Sequence, residues 1–245
     1  ANLLDPEEAE IAAKAFEIGE NLIDDYADTK MVSKAIEQLN QLTKKEQPFF
    51  MALGFLKPHL PFNAPKKYWD LYNEKDIELA SNRFQPENAP DESMHKYGEL
   101  RKYTNIPSDF NIDIPDLTQK KLIHGYYACE SYIDEEIGKL IKHLKKLDIY
   151  ENSIIVLWGD HGWQLGEHNL WAKHCNYQTS LKVPLLIKYP KQIKHKKINT
   201  VVELLDIYPT LCELSNIEKP KHLQGKSLLY INLSLIHISE PTRRI

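Results

Sequence analysis

From Leu122 to Leu144 the apolar positions Leu122, Tyr126, Cys129, Ile133, Ile137, Leu140 and Leu144 step by four or three residues without a break. That spacing places side chains on one face of an α-helix. Asp116 precedes the run with Gln119 three residues on, a capping-box signature, so the pattern predicts a long helix over 117–146. A helix with one apolar face must lie against something. The runs "SIIVLWG" at 153–159 and "VPLLIKY" at 183–189 are continuous rather than alternating, as in strands buried on both faces of a parallel or mixed sheet. Upstream, Met31, Ala35, Leu39 and Leu42 recur at helical spacing between Asp28 and about Lys45, and lead into "PFFMALGF" at 48–55, an apolar run of strand length. Asp5-Pro6-Glu7-Glu8 reads as a cap and acidic first turn of a helix over about 6–18, with Gly19 as its stop, and Asp206 with Pro209 opens a last helix at about 207–215. Strands alternating with helices define an α/β sandwich.

The 245 residues are 42% hydrophobic and 27% charged, the composition of a folded domain rather than a disordered chain. A net charge of -4 gives no general attraction to nucleic acid or to an anionic membrane, so an anionic substrate must be held locally. No apolar stretch approaches the ~20 residues that span a bilayer. Cys129, Cys175 and Cys212 lie far apart with no CxxC spacing, which argues against a structural zinc site or a disulfide framework. The basic cluster "KQIKHKK" at 191–197 reads as a solvated loop, and Asn232-Leu233-Ser234 is a lone glycosylation sequon. Residues 56–117, rich in Pro, Asn and Asp, are too long for a plain connection, and loops of that length usually carry function. The tail "INLSLIHISEPTRRI" at 231–245 breaks the pattern of the chain. It resembles the translation of a sequencing adapter, so it is set aside as a non-native tail.

Open α/β sheets place ligands beyond the carboxyl ends of their strands. Asp160 and His161 follow "SIIVLWG" directly, with Gly162 turning the chain, Trp163, a second acid-histidine pair Glu167-His168, and then Lys173. A bare Asp-His-Gly is as readily a turn, with Asp160 capping it and Gly162 supplying a left-handed residue. The accumulation of groups tips the balance. A divalent cation flanked by a lysine and histidines is how a protein binds a tetrahedral oxyanion and neutralises charge as a bond to it breaks, which points to sulfate or phosphate ester chemistry. Asp suits calcium or magnesium while imidazole suits zinc or manganese, so ligand hardness leaves the metal open. A second strand end delivers Lys57 and His59 in "FLKPHLPF", where flanking prolines hold the imidazole either as a loop wall or as a preorganised donor.

The segments "PFFMALGFLKPHLPFNAPKKYWDLY", "YYACESYIDEEIGKLIKHLKKL", "NSIIVLWGDHGWQLGEHNLWAKHCNY", "VPLLIKYP" and "LLDIYPTLCEL" resemble, in order, the type I sulfatases of the alkaline phosphatase superfamily, and within them the iduronate-2-sulfatase branch. The resemblance implies an alkaline-phosphatase-like sandwich of a mostly parallel sheet with helices on both faces, incomplete at its N-terminus. It implies that residues 1–230 are the later part of a catalytic domain, without its first strands and its C-terminal subdomain. By the same resemblance Asp160 and His161 are ligands of one calcium ion. His59 and Lys173 hydrogen-bond the substrate sulfate and assist departure of the sugar hydroxyl, with Lys57 and Trp163 lining the substrate site. Glu167 and His168 support the site as turn residues behind it. The implied substrate is a sulfated glycosaminoglycan, the 2-sulfate of iduronate in heparan or dermatan sulfate first among them, and the implied location is lysosomal or secreted.

The family's nucleophile is a formylglycine made from the cysteine of a Cys-x-Pro/Ala-x-Arg motif, and its other metal carboxylates are an Asp-Asp pair on the first strand. Cys129 is followed by "ESYI", Cys175 by "NYQT" and Cys212 by "ELSN", so none is that cysteine. Two other readings remain open. One is a zinc phosphodiesterase or phosphatase of the same superfamily, against which Lys-Pro-His and Trp-Ala-Lys speak; the other is a catalytically dead sulfatase-like binding module. The 245-residue chain by itself is expected to bind calcium poorly and to release no sulfate from a sulfate ester; turnover in a sulfate-release assay on the purified chain would refute this.

Overall fold

The computed structural model describes residues 13–19, 23–45, 47–190, 196–231 and 236–239. They belong to two units, one of residues 1–147 with 165–172 and one of residues 148–164 with 173–245. The predicted helix over 6–18 meets a different outcome. Residues 6–12 lie outside the described set, and Phe16–Gly19 forms a strand, β1, parallel to β2 (Phe62–Pro65) with Phe16 opposite Phe62. The Phe62 amide donates to Ala15 O at 2.7 Å and Ala15 is fully buried. Pairing with an available strand outweighs a weak local preference.

Two helices carry the first unit, α1 (Ala27–Leu42) and, after the single turns α2 (Lys66–Trp69) and α3 (Gly98–Arg101), the 31-residue α4 (Asp116–Lys146). Both long helices fall where the periodicity predicts them. The capping box at Asp116 does not form. Pro115 is the cap residue, Asp116 pairs with Arg83 at 2.7 Å, and the buried Gln119 turns its amide to Ile114 O at 2.7 Å. Against β2 and α2 the helix packs aromatic edges, Phe62 on Tyr126 with centroids 5.7 Å apart and Trp69 on His124 at 4.9 Å. Against α1 it buries Leu140 with Val32 and Ala35. Beside them is a polar junction: the Thr29 amide donates to Tyr132 Oη at 2.9 Å, and Thr29 Oγ1 and Lys139 Nζ donate to Glu136 Oε1 at 2.9 and 2.6 Å. The run at 48–55 pairs with no described strand. Met51 and Phe55 lie on the α1–α4 cluster, while Phe50 is 81% exposed.

The second unit contains β3 (Ile155–Trp158). Short strands β4 (Gln164–Leu165) and β5 (Trp171–Ala172) come next in the chain, then α5 (Gln178–Leu181), β6 (Pro184–Lys188), β7 (Lys196–Lys197), α6 (Ile207–Leu214) and β8 (Ile236–Ser239). The sheet runs in the order β3-β6-β8-β7, antiparallel at its first two pairings and parallel at the third, so it is mixed. Residues 236–239 of the tail set aside above thus form a strand of this sheet. Leu185, Ile187, Ile198, Val202, Ile207 and Leu228 make the core. β3 is less buried than its apolar sequence predicts, with Trp158 47% exposed, because it is the edge strand of this sheet. Pro209 sits in the first turn of α6 as predicted. Asp206 occupies the N-cap position of that helix as predicted, but its carboxylate makes no cap bond there and accepts from the Glu203 and Lys226 amides at 3.0 and 2.8 Å.

Residues 191–195, 232–235 and 240–245, which include most of the basic cluster and the start of the sequon, lie outside the described set. Among the described residues no helix is long and apolar enough to cross a membrane. Cys129, Cys175 and Cys212 are free thiols. Cys129 is fully buried on α4 with Sγ 3.7 Å from Asn63 O, and burial pushes its thiol from 9.0 up to about 12. A proton held to about pH 12 in the folded state, but only to 9.0 in the unfolded one, contributes stability that is complete below pH 9 and lost as the pH rises through about 12. Tyrosines, ionising near pH 10 when unfolded, enter this decline later. Urea midpoints are therefore expected to fall between pH 9 and 10 and to fall less in Cys129→Ala; equal slopes in the two proteins would show that this thiol is not the cause.

Candidate functional site

In the second unit, the end of β3 is held by the Gly159 amide on Pro184 O at 3.1 Å, and the next residues leave the sheet. Asp160 accepts from the His161 amide through Oδ1 at 3.0 Å, and its side chain is 85% exposed. His161 Nδ1 lies 2.8 Å from Gly162 O. A carbonyl only accepts, so Nδ1 carries a proton, and in the neutral ring Nε2 is the nitrogen with the lone pair. That nitrogen is 3.6 Å from Asp160 Oδ2. Two donors each about 2.4 Å from one ion and about 90° apart are roughly 3.4 Å from each other, so this oxygen and nitrogen fit adjacent positions on a cation. They make only one edge of a coordination sphere, and among the described residues no group of three or more His, Cys, Asp or Glu could hold a metal.

Gly162 is not left-handed, the role expected of it in a turn. Its amide donates to Ser180 O at 2.7 Å, and a Cβ there would stand 2.0 Å from Thr179 O. The residue is glycine because the backbone of α5 passes too close for anything larger. Trp163 stacks near His161 with centroids 6.1 Å apart, and Lys173 Nζ stands 5.1 Å over the Trp163 ring. Behind them the fully buried Gln164 donates to Cys175 Sγ at 3.4 Å and Ser180 Oγ at 3.3 Å. Asp160, His161, Trp163 and Lys173 are thus neighbours within one unit.

In the first unit, Lys57 and His59 lie on a loop with cis peptide bonds at Lys57–Pro58 and Leu60–Pro61. The loop is tied at its start by Asp28, 3% exposed, whose carboxylate accepts from the Leu56 and Lys57 amides at 2.7 and 3.3 Å. Burial raises the Asp28 carboxyl, and those two amides pull it back. Lys57 is placed differently from the expectation of a substrate contact: its ammonium donates to Pro61 O at 2.6 Å and His59 O at 3.3 Å, stapling its own loop. Burial lowers the Lys57 ammonium, with Cys129 and Asp28 opposing. His59 has Nδ1 at 2.8 Å from Leu60 O and Nε2 at 3.2 Å from Glu99 Oε1.

Glu167 and His168 also belong to the first unit. Glu167 Oε2 accepts from the Leu165 amide at 2.7 Å, the His168 amide donates to Asn82 O at 2.8 Å, and Gly166 before them has φ 111°. Both take part in a turn. Asp28, Glu99 and Gln164 were not legible as contributors. Asp28 reads as the start of a helix, Glu99 sits in an aperiodic loop, and Gln164 looks like one more polar residue after a strand.

A sequence model of the sulfatase family matches residues 5–217, and the chain belongs to that family. It is 36% identical to a sulfatase of Formosa agariphila over 88% of this chain and 41% of that protein. It is 29% identical to human iduronate 2-sulfatase over 79% of this chain and 40% of that one. The chain therefore spans about two-fifths of these relatives' length. Among solved structures it resembles a phosphonate monoester hydrolase from Silicibacter pomeroyi, with TM-score 0.73 and 22% identity over 92% of this chain and 46% of the other. The expected alkaline-phosphatase-like α/β fold is the one observed. Sulfatases are sulfuric ester hydrolases that typically use a metal ion and a formylglycine.

Asp28→Ala leaves two loop amides without their acceptor and is expected to lower stability by roughly 1–3 kcal/mol, read as a lower urea midpoint. Asp28→Asn, which keeps one acceptor oxygen, should lose less, and equal losses would deny the carboxylate its role in tying the loop.

Proposed function

We propose that the protein to which this chain belongs hydrolyses sulfate esters of carbohydrate, with the 2-sulfate of iduronate in heparan or dermatan sulfate as the first substrate to test. The observation that supports it is the clustering of Asp160, His161, Trp163 and Lys173 at the end of β3, with His161 Nε2 and Asp160 Oδ2 3.6 Å apart. In this reading Asp160 and His161 hold one edge of a metal ion, calcium in preference to zinc or manganese. The 29% identity to human iduronate 2-sulfatase supports both the substrate and a lysosomal or secreted location. When bound, the cation and the formylglycine would supply charge neutralisation and a covalent nucleophile.

The chain's own groups supply the rest. Lys173 brings an ammonium that stands over the Trp163 face. An ammonium directed at a sulfate oxygen offsets the charge that grows as the ester bond breaks. By the family resemblance, His59 is a further residue to test as a donor to the sulfate and for the proton that the departing sugar hydroxyl takes up. Trp163 lines the substrate end of the pocket. A phosphonate or phosphate ester substrate is the competing reading, supported by the likeness to the phosphonate monoester hydrolase fold.

The test is the full-length protein assayed with calcium and with zinc on a 2-sulfated uronate disaccharide, a 6-sulfated glucosamine and a phenyl phosphonate monoester. Calcium-supported release of 2-sulfate is the expected result, with Lys173→Ala lowering kcat/KM by about 100-fold or more. Preference for the phosphonate in zinc would overturn the proposal, and preference for the 6-sulfate would replace its substrate.

A further inference from the structure

His59 carries more structure than a loop histidine needs. Its Nδ1 is committed to Leu60 O at 2.8 Å, and its Nε2 faces Glu99 Oε1 at 3.2 Å. With Nδ1 donating to a carbonyl, the Glu99 contact is a hydrogen bond only when Nε2 is protonated as well. In that protonated form the carboxylate meets the ring as an anion meets a donor, which is also how an oxyanion of a substrate would meet it.

The position of Glu99 is built. It lies on α3, entered through Tyr97 in the left-handed conformation at φ 41°, and the buried Arg101 locks that turn. Arg101 donates from Nη1 to Pro107 O at 2.7 Å and from Nη2 to Ile112 O at 2.8 Å and Tyr97 Oη at 2.6 Å. Its guanidinium also stands 4.6 Å over the Tyr97 ring. A left-handed non-glycine residue costs conformational energy and persists only where its surroundings impose it. Here that turn holds a carboxylate against one imidazole nitrogen. The Glu99 charge is also felt nearby, because the Tyr103 phenol is pushed up to about 12, by burial first and by Glu99 second.

We infer that Glu99 is a resident anion on His59: it orients the ring and keeps Nε2 occupied, and a sulfate oxygen must displace it to reach that nitrogen. Glu99 is thus a positioning residue that sets how strongly His59 takes any anion. A carboxylate is a monoanion, so it yields to an oxyanion that other groups also hold and resists one that only His59 attracts. The inference rests on the reading that His59 contacts the sulfate of the substrate.

The test titrates inorganic sulfate into the full-length protein with calcium and follows the His59 ring resonances by NMR, in the unaltered protein, Glu99→Gln and Glu99→Asp. Removing the competing charge is expected to tighten the sulfate response of His59 by about threefold or more in Glu99→Gln, a figure kept small because the pair is partly exposed. Glu99→Asp, charged but one methylene shorter, should fall between. A merely structural role predicts the opposite order, with the looser ring binding sulfate less well. If His59 responds to sulfate equally or more weakly in Glu99→Gln, the inference is overturned while the sulfate contact stands. If His59 responds in none of the three proteins, the sulfate contact itself is overturned and the inference with it.

Discussion

Glu136 is a carboxylate with no exposed surface, on the inner face of α4; its Oε1 takes two hydrogen bonds that tie the first unit together, while its Oε2 is buried without one. A buried charge is tolerated only when it is paired and hydrogen-bonded, and removing one partner of such a pair typically costs about 3–5 kcal/mol. Glu136 has Lys139 one turn along its own helix and Thr29 at the start of α1. The Thr29 amide is taken in turn by Tyr132. With Thr29 held through two atoms, its amide nitrogen and Oγ1, its neighbour Asp28 has little freedom, and that carboxylate ties the amides of Leu56 and Lys57. The position of His59 thus descends from a helix–helix contact through one buried acid to a loop.

This descent is where the sequence pattern is silent. Apolar periodicity places α4, α1, β3, β6 and α6, because one burial face repeated over several turns or a run of strand length is a local signal. It counts Ile137 and Leu144 in the buried stripe and omits Tyr132 and Glu136, which the structure buries completely. A polar residue on an inner face is satisfied by partners distant in sequence, here Thr29, and no local pattern records them. The same reason hides β1, whose partner is β2, and Glu99, whose partner is His59. The run at 48–55 is the converse: its composition reads as a strand, but among the described residues no strand offers it an edge.

The two lysines singled out by the sequence show how context divides one residue type. Lys57 and Lys173 each follow shortly after an apolar strand-like run, and both look like cations offered to an anionic ligand. Lys57 is drawn under its loop, where burial disfavours its charge and two backbone carbonyls take its hydrogens. Lys173 lies over an indole face. Carbonyl oxygens consume donors, whereas an aromatic face attracts the cation while taking none of its hydrogen bonds. The two lysines thus sit in different surroundings, a loop's own carbonyls for Lys57 and an indole face for Lys173, and only the fold distinguishes them.

The Asp-His-Gly step at the end of β3 joins all these levels in three residues. Gly162 has no side chain, so its amide can reach Ser180 O at 2.7 Å where a Cβ would collide with Thr179 O. That close approach fixes the direction of the Gly162 carbonyl, which accepts from His161 Nδ1. In the neutral ring the proton on Nδ1 leaves Nε2 as the nitrogen with a lone pair, on the side where Asp160 Oδ2 stands. Any side chain at 162 would move the carbonyl, release the imidazole tautomer and separate the two donors. The glycine is thus part of the chemistry of the site, although it contributes no atom to a ligand.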